Sequence, residues 1–208
     1  MNADEDQYAR QAGDWTERAY ADATAYLAHR ADLIATLGPQ LEPGDEVLDL
    51  ACGDAGLGEL LLERGFRYRG VDSTPEMVAQ ASRRLGERAP VEAGDLNEYV
   101  PPSSVAATTV FRAIYYARDR RAFFSHVATF TEKKLVFDLN PRQYRPDDFV
   151  ADLRAAGLAR ILLRPFFVPQ TVALPKPALA AAKVLECSGP LARLALRVRF
   201  TYLVAASR

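Results

Sequence analysis

The chain has 208 residues, 49% of them hydrophobic, with 26 basic and 27 acidic side chains and a formal net charge of −1; this suits one large core and gives no whole-chain electrostatic footprint for nucleic acid. Two cysteines, Cys52 and Cys187, and two histidines supply neither a disulfide framework nor a metal-ligand set, so no metal is expected and a reducing, cytoplasmic setting fits best. The acidic, polar start MNADEDQYAR is not a signal peptide, and no apolar run approaches the ~20 residues needed to span a bilayer.

Taken in chain order, residues 1–38 read as a helical cap. The stretch TERAYADATAYLAHRADLIATLG has apolar positions near 3.6-residue spacing, and Gly38-Pro39 stops it. Strand and helix then alternate. EVLDLA is a strand and AGLGELLLERG a helix ending at Gly65. YRGVD is a strand, and TPEMVAQASRRLG a helix with Thr74 as cap and Pro75 at its first position. APVEAG is a short strand and VAATTVFRAIYY a strand leading into a loop; DRRAFFSHVATFT is a helix, KKLVFDLN a strand, and PDDFVADLRAAG a helix with Gly157 just past its end. ARILLRPFFV and LALRVRFTYLVAAS are the last two strands.

The spacing is that of βαβ units. It predicts a doubly wound α/β fold with a mostly parallel seven-stranded sheet whose last strand is antiparallel. Between the final strands lie about 25 residues with four prolines, which argue against a full covering helix. Residues 169–193 are therefore expected to form a flap inserted between antiparallel strands, and residues 1–208 a single domain.

In such a sheet ligands bind at the carboxyl ends of the strands. The first strand ends at Leu50, and small residues follow: ACGDAGLG, residues 51–58. They allow backbone N–H groups to approach a ligand. The glycines Gly53, Gly56 and Gly58 stand in the wrong order for a dinucleotide G-x-G-x-x-G. Asp49, within the strand, repels a pyrophosphate and suits a cationic ligand, which disfavours a nicotinamide dehydrogenase. Asp72 ends the second strand 19 residues after Gly53, where a carboxylate can accept both hydroxyls of a ribose. Asp95 follows the third strand, where it can face a purine amino group. Each acid has a plainer reading: Asp49 as a turn salt bridge, Asp72 as a helix cap, Asp95 as an ordinary turn residue.

With these residues in place, positions 40–140 resemble a class I S-adenosylmethionine-dependent methyltransferase. VLDLACGDAG is similar to the family's glycine-rich first motif, GVDSTPEM to its acidic second motif, and AGDL to its third. The resemblance implies S-adenosyl-L-methionine as cofactor. It places Asp49, Ala51, Cys52 and Gly53 around the methionine moiety, Asp72 and Ser73 at the ribose, and Met77, Asp95 and Leu96 at the adenine, with Arg112 completing the cofactor set. Ala51 and Ala55 stand where the common G-x-G-x-G has its first and third glycines, so a differently shaped turn is expected.

Acceptor contacts are expected over the ends of strands four and five, from Tyr115, Tyr116, Asn140 and Arg142, with Tyr20 of the N-terminal helix closing the pocket. Methyl transfer is an in-line displacement, for which holding the reactants close is the main task. Tyr115, Tyr116, His126 and Asp138 are the candidates should a base be needed. Cys52 reads as a small buried residue, and His29 and His126 as surface or packing residues. The apolar, basic region 165–197 is a candidate lid over a hydrophobic or lipid-like small molecule, or a contact for a membrane surface or a second copy. A non-catalytic binding or scaffold protein that keeps the cleft is the alternative.

Overall fold

The computed structural model describes residues 16, 19–189, 192 and 201–208. The first described helix, α1 (Ala23–Thr36), is capped by Asp22, whose Oδ1 accepts the Ala25 N–H at 2.9 Å. Of the cap expected over 1–38, residues 1–15 and 17–18 lie outside the described residues. Strand β1 (Glu46–Leu50) follows, then α2 (Gly56–Glu63), β2 (Arg67–Asp72), α3 (Pro75–Leu85) and the short β3 (Val91–Ala93). Strand β4 (Val105–Val110) leads to a 3₁₀ turn at Ile114–Tyr116 and α4 (Arg120–Phe130), which runs directly into β5 (Thr131–Leu139). Helix α5 (Pro146–Ala155), β6 (Arg160–Phe166), α6 (Lys176–Glu186) and β7 (Thr201–Ser207) complete the order.

The seven strands lie in the order β3-β2-β1-β4-β5-β7-β6. Neighbours from β3 to β5 are parallel, and β7 runs antiparallel to both β5 and β6. The doubly wound sheet expected from the alternation is therefore present, with its antiparallel last strand inserted beside β5. The chain reverses its direction of travel across the sheet between β1 and β4, which opens the crevice above their carboxyl ends. Because β6 runs parallel to β1, the flap from Phe166 to Thr201 leaves and rejoins the sheet at that same edge.

Alternation along the strands divides the core into two layers. Val47, Val136 and Ala205 face a cluster with Ile34 of α1, Leu61 of α2 and Leu85 of α3. Leu48, Leu135, Phe137, Val204 and Ala206 face the opposite cluster, with Phe124 and Val127 of α4 and Phe149 and Leu153 of α5.

Two local expectations, at Thr74 and His29, are corrected. Thr74 sits at the cap position of α3 but makes no side-chain cap bond; its own N–H is instead bound by Asp72 Oδ1 at 2.9 Å, and Pro75 next to it has no N–H to cap. Strand β4 gives way to a loop as expected; it stops at Val110, and Arg112 turns the backbone with φ +54°. His29 is not a surface residue: it is buried, 2.8 Å from the buried carboxylate of Glu186 and stacked on Phe166 at 5.2 Å. That carboxylate also accepts the Phe167 N–H at 2.8 Å. It thereby ties α6 of the flap both to α1 and to the end of β6.

Candidate functional site

A cavity of about 400 Å³ opens above the carboxyl ends of β1, β2 and β4 and under α1. All ten residues expected to hold a cofactor line it: Asp49, Ala51, Cys52, Gly53, Asp72, Ser73, Met77, Asp95, Leu96 and Arg112.

Asp49 lies 2% exposed at the centre of the sheet edge. Thr109 Oγ1 donates to its Oδ1 at 2.6 Å and Tyr68 Oη to its Oδ2 at 2.9 Å. Burial pushes its carboxyl up to about 6; the Thr109 and Tyr68 hydrogen bonds and the Arg30 cation oppose the rise. Asp72 is also buried, and burial raises its carboxyl against two backbone donors, Thr74 N and Gly53 N, each at 2.9 Å. Each carboxylate oxygen is thus oriented by one N–H and retains a further acceptor direction.

Asp95 is held differently. Its Oδ1 accepts the N–H and the Nδ2 of Asn97, each at 2.8 Å, and its Oδ2 pairs with Arg118. Burial raises its carboxyl, but these bonds outweigh it and hold it below the ordinary range. Burial raises the Cys52 thiol well above its usual value, which keeps the sulfur protonated and unreactive.

The residues expected at the acceptor divide. Tyr20 and Tyr116 line the cavity. Tyr115 does not; its ring packs on Tyr116 at 4.4 Å and the side chain is exposed. Asn140 and Arg142 do not line it either. They close a local turn in which Asn140 Oδ1 accepts the Arg142 N–H at 3.0 Å. His126 points away from the cavity, with Nε2 2.9 Å from the Tyr99 carbonyl and its ring edge-on to Phe130. Asp138 is engaged by the Arg112 N–H at 2.8 Å and by Arg30 at 3.3 Å.

The wall also includes residues that the sequence reading did not single out, among them Thr16, Asp54, Phe111 and Arg30. Thr16 donates to Asp54 from its N–H at 3.1 Å and from its hydroxyl at 2.5 Å, and Arg84 bridges to the same carboxylate at 2.9 Å. Thr16 sits so close over Gly56 that a β-carbon there would meet its hydroxyl at 2.5 Å. Phe111 and Arg30 form the side toward β4 and β5, with the guanidinium 4.1 Å from the Phe111 ring centre. The helical period places Tyr26, Arg30 and Ile34 on one buried face, so an arginine interrupting an apolar stripe was a signal available in the sequence.

Residues 47–134 match the family described as a methyltransferase domain. This match and the fold liken the chain to the class I S-adenosylmethionine-dependent methyltransferases. A trans-aconitate 2-methyltransferase of Escherichia coli O157:H7 is 29% identical over 119 residues, which cover 56% of this chain and 46% of that protein. The match therefore spans about half the length of that curated relative. Among solved structures, the complex of the Trm112 methyltransferase activator with a methyltransferase from Haloferax volcanii superposes with a TM-score of 0.68 at 20% identity. It covers 98% of this chain and 96% of that one. A TehB-like methyltransferase from Corynebacterium glutamicum gives 0.62 at 18% identity, covering 99% of each chain. At these identities the structures establish the shared fold.

The glycine-rich turn holds its two alanines in left-handed backbone. Ala51, Gly53 and Ala55 adopt φ of +62°, +58° and +58°. All three alternate positions are left-handed, a conformation that glycine adopts more readily than alanine. An alanine there costs roughly 1 kcal/mol. The turn is fixed from outside: Cys52 N–H reaches Val71 O at 3.0 Å, and Gly53 N–H reaches Asp72.

Proposed function

We propose that the chain binds S-adenosyl-L-methionine in this cavity and transfers its methyl group to a small acceptor by in-line displacement. The observation that carries the reading is the buried, doubly oriented carboxylate of Asp72, two strands' width from β4. Its two oxygens are pre-set by Gly53 and Thr74, as a pair of ribose hydroxyls requires. Met77, 2% exposed and lining the cavity, offers an apolar face to the adenine. Asp95 and Leu96 border its edge, with Ser73 beside the ribose. Asp49, Ala51, Cys52 and Gly53 surround the methionine portion, with Asp49 supplying negative charge toward a cationic ligand.

When bound, the cofactor supplies an activated methyl on a sulfonium. The protein's part is to hold the acceptor against it and keep water out. Phe111, Tyr20 and Tyr116 form the apolar portion of the acceptor side, with α1 as its roof, and this supports a hydrophobic body for the acceptor. Of the base candidates only Tyr116 lines the cavity, which favours proximity over general-base catalysis. Domain organisation is read with the function: one domain over 1–208, its flap at 169–193 closing the acceptor side. Val172 and Val184 stand exposed in that flap, where a membrane or second-copy contact through 165–197 would fall. A non-catalytic binding or scaffold protein that keeps the cleft is the alternative reading, and cofactor binding without methyl transfer to any acceptor would favour it.

Calorimetric titration of S-adenosylmethionine and S-adenosylhomocysteine into wild type and Asp72→Ala, with NAD as control, tests the reading. Wild type is expected to bind both sulfur ligands in the micromolar range and not NAD. Asp72→Ala is expected to lose about tenfold or more, the scale of a charged hydrogen-bonding group. A folded wild-type protein that binds neither sulfur ligand overturns the proposal.

A further inference from the structure

Arg30 is one of the most enclosed side chains of the molecule, 1% exposed, yet it lines the cavity. It comes from α1 and lies over the ends of β4 and β5, against Phe111 and Asp138. In the sheet order β2-β1-β4-β5 this is beyond Asp49, on the side away from Asp72. A cofactor whose ribose is held by Asp72 and whose methionine lies at Asp49 therefore presents its reactive end toward Arg30.

The partners of this guanidinium do not exhaust it. Nη2 donates to Tyr26 Oη at 2.9 Å and to Asp138 Oδ2 at 3.3 Å. The second contact is longer than a well-formed N–H···O bond, and Asp138 spends its other oxygen on the Arg112 N–H at 2.8 Å. Nε is sealed without an acceptor, and no bond from Nη1 to any described residue occurs. The remaining surroundings are rings: Phe111 at 4.1 Å, Tyr26 at 4.9 Å and Phe166 at 5.7 Å from the guanidinium carbon.

Charge balance points the same way. Arg30 and Arg112 line this end of the cavity with Asp49, and Asp138 lies beside them. Among the described residues two guanidinium groups lie beside two carboxylates here, and a sulfonium would add a third positive charge. A neutral or cationic acceptor would leave that excess in a poorly solvated place, where unbalanced charge is costly. A carboxylate acceptor would remove the excess and supply an acceptor for Nη1 of Arg30, the donor left toward the cavity.

We infer that the acceptor is a small carboxylic acid with an apolar body, its carboxylate held by Arg30 and its body by Phe111, Tyr20 and Tyr116. This rests on the cofactor reading above, and it turns the hydrophobic acceptor expected from the sequence into an amphipathic one. Arg30 is a binding residue in this assignment, and the specificity it confers is for charge.

The test is calorimetric titration of 3-phenylpropanoate, hexanoate and their two amides, with and without saturating S-adenosylhomocysteine. The proteins are wild type, Arg30→Met and Arg30→Lys, each first checked by thermal melting. In wild type the acids are expected to bind at least about tenfold more tightly than the amides, the scale of a charge-assisted pair. Arg30→Met is expected to abolish that preference and Arg30→Lys to restore part of it. Equal binding of acids and amides, or no binding of either acid at millimolar concentration, overturns the inference. So does a preference that survives Arg30→Met. The wild-type comparison needs no variant, so a misfolded Arg30→Met leaves it decisive. Failure of S-adenosylhomocysteine to bind is read separately, as failure of the cofactor proposal, while the acid and amide titrations without it still decide this one.

Discussion

Asp49 shows how one side chain can serve binding at the expense of stability. It is enclosed by β2 and β4, and its carboxyl is pushed up to about 6 by burial. A carboxyl raised in the folded state contributes stability that is fully present below its unfolded value near 4 and is lost as pH rises through about 6. At neutral pH the ionised group therefore costs the fold about 3 kcal/mol. Asp49→Asn can still bond Tyr68 and Thr109. It is expected to unfold at higher urea than wild type at pH 7, with the difference vanishing toward pH 4. The same variant is expected to lose the preference for cationic S-adenosylmethionine over neutral S-adenosylhomocysteine, since the charge it removes distinguishes the two. A urea series between pH 4 and 8 and paired calorimetric titrations check both. A difference that does not change with pH would show that the cost is not ionic.

At the scale of elements, the roof of the cavity is α1, and α1 is held by groups distant in sequence. Lys134 at the start of β5 donates to the last carbonyls of α1, Ala35 O at 3.2 Å and Leu37 O at 2.8 Å, satisfying acceptors that a helix end leaves open. Burial lowers its ammonium to about 8. At the other end Glu186 of α6 takes His29 and the Phe167 N–H, so one carboxylate joins α1, β6 and the flap. Glu186→Ala strands two buried donors and is expected to cost about 2–4 kcal/mol. It is also expected to speed proteolysis within 169–193 more than at other exposed sites. Denaturant unfolding and timed proteolysis check this, and a stability within 0.5 kcal/mol of wild type, the scale of an ordinary surface substitution, would show the latch to be idle.

For the whole molecule, the reversal of strand order at β1 and β4 gathers residues from three strand ends, α1 and the following loops around one crevice. A ligand there touches elements from both halves of the chain and binds only when they are assembled. S-adenosylmethionine at about a hundred times its dissociation constant should therefore stabilise the fold by about 2.7 kcal/mol. For a chain of this size that corresponds to a rise in melting temperature of about 5–10 °C. Thermal melts with and without ligand check it. A shift far below this at proven saturation would mean that the unfolding event seen by heat does not include the cavity.

The sequence by itself determined the alternation of strands and helices, because burial on a sheet and on a helix imposes different periods that a single chain displays openly. It also determined the turn after β1 and the acids at three successive strand ends, since the parallel register carries residues at equivalent positions to one edge. Only the tertiary structure decided which long-range partners those residues meet. The 157 residues between His29 and Glu186 carry no local signal of their contact, so His29 read as a surface residue. Asn140 and Arg142 sit at the right strand end, but a local turn takes the Asn140 side-chain oxygen for the Arg142 N–H, and neither residue lines the cavity. Arg30 broke the apolar face of its helix in plain view. That the face lies over β4 and β5, where a guanidinium among aromatic rings meets the open end of the cavity, follows from the packing of α1 on the sheet. Packing is a property of the assembled core, whereas periodicity is a property of the chain.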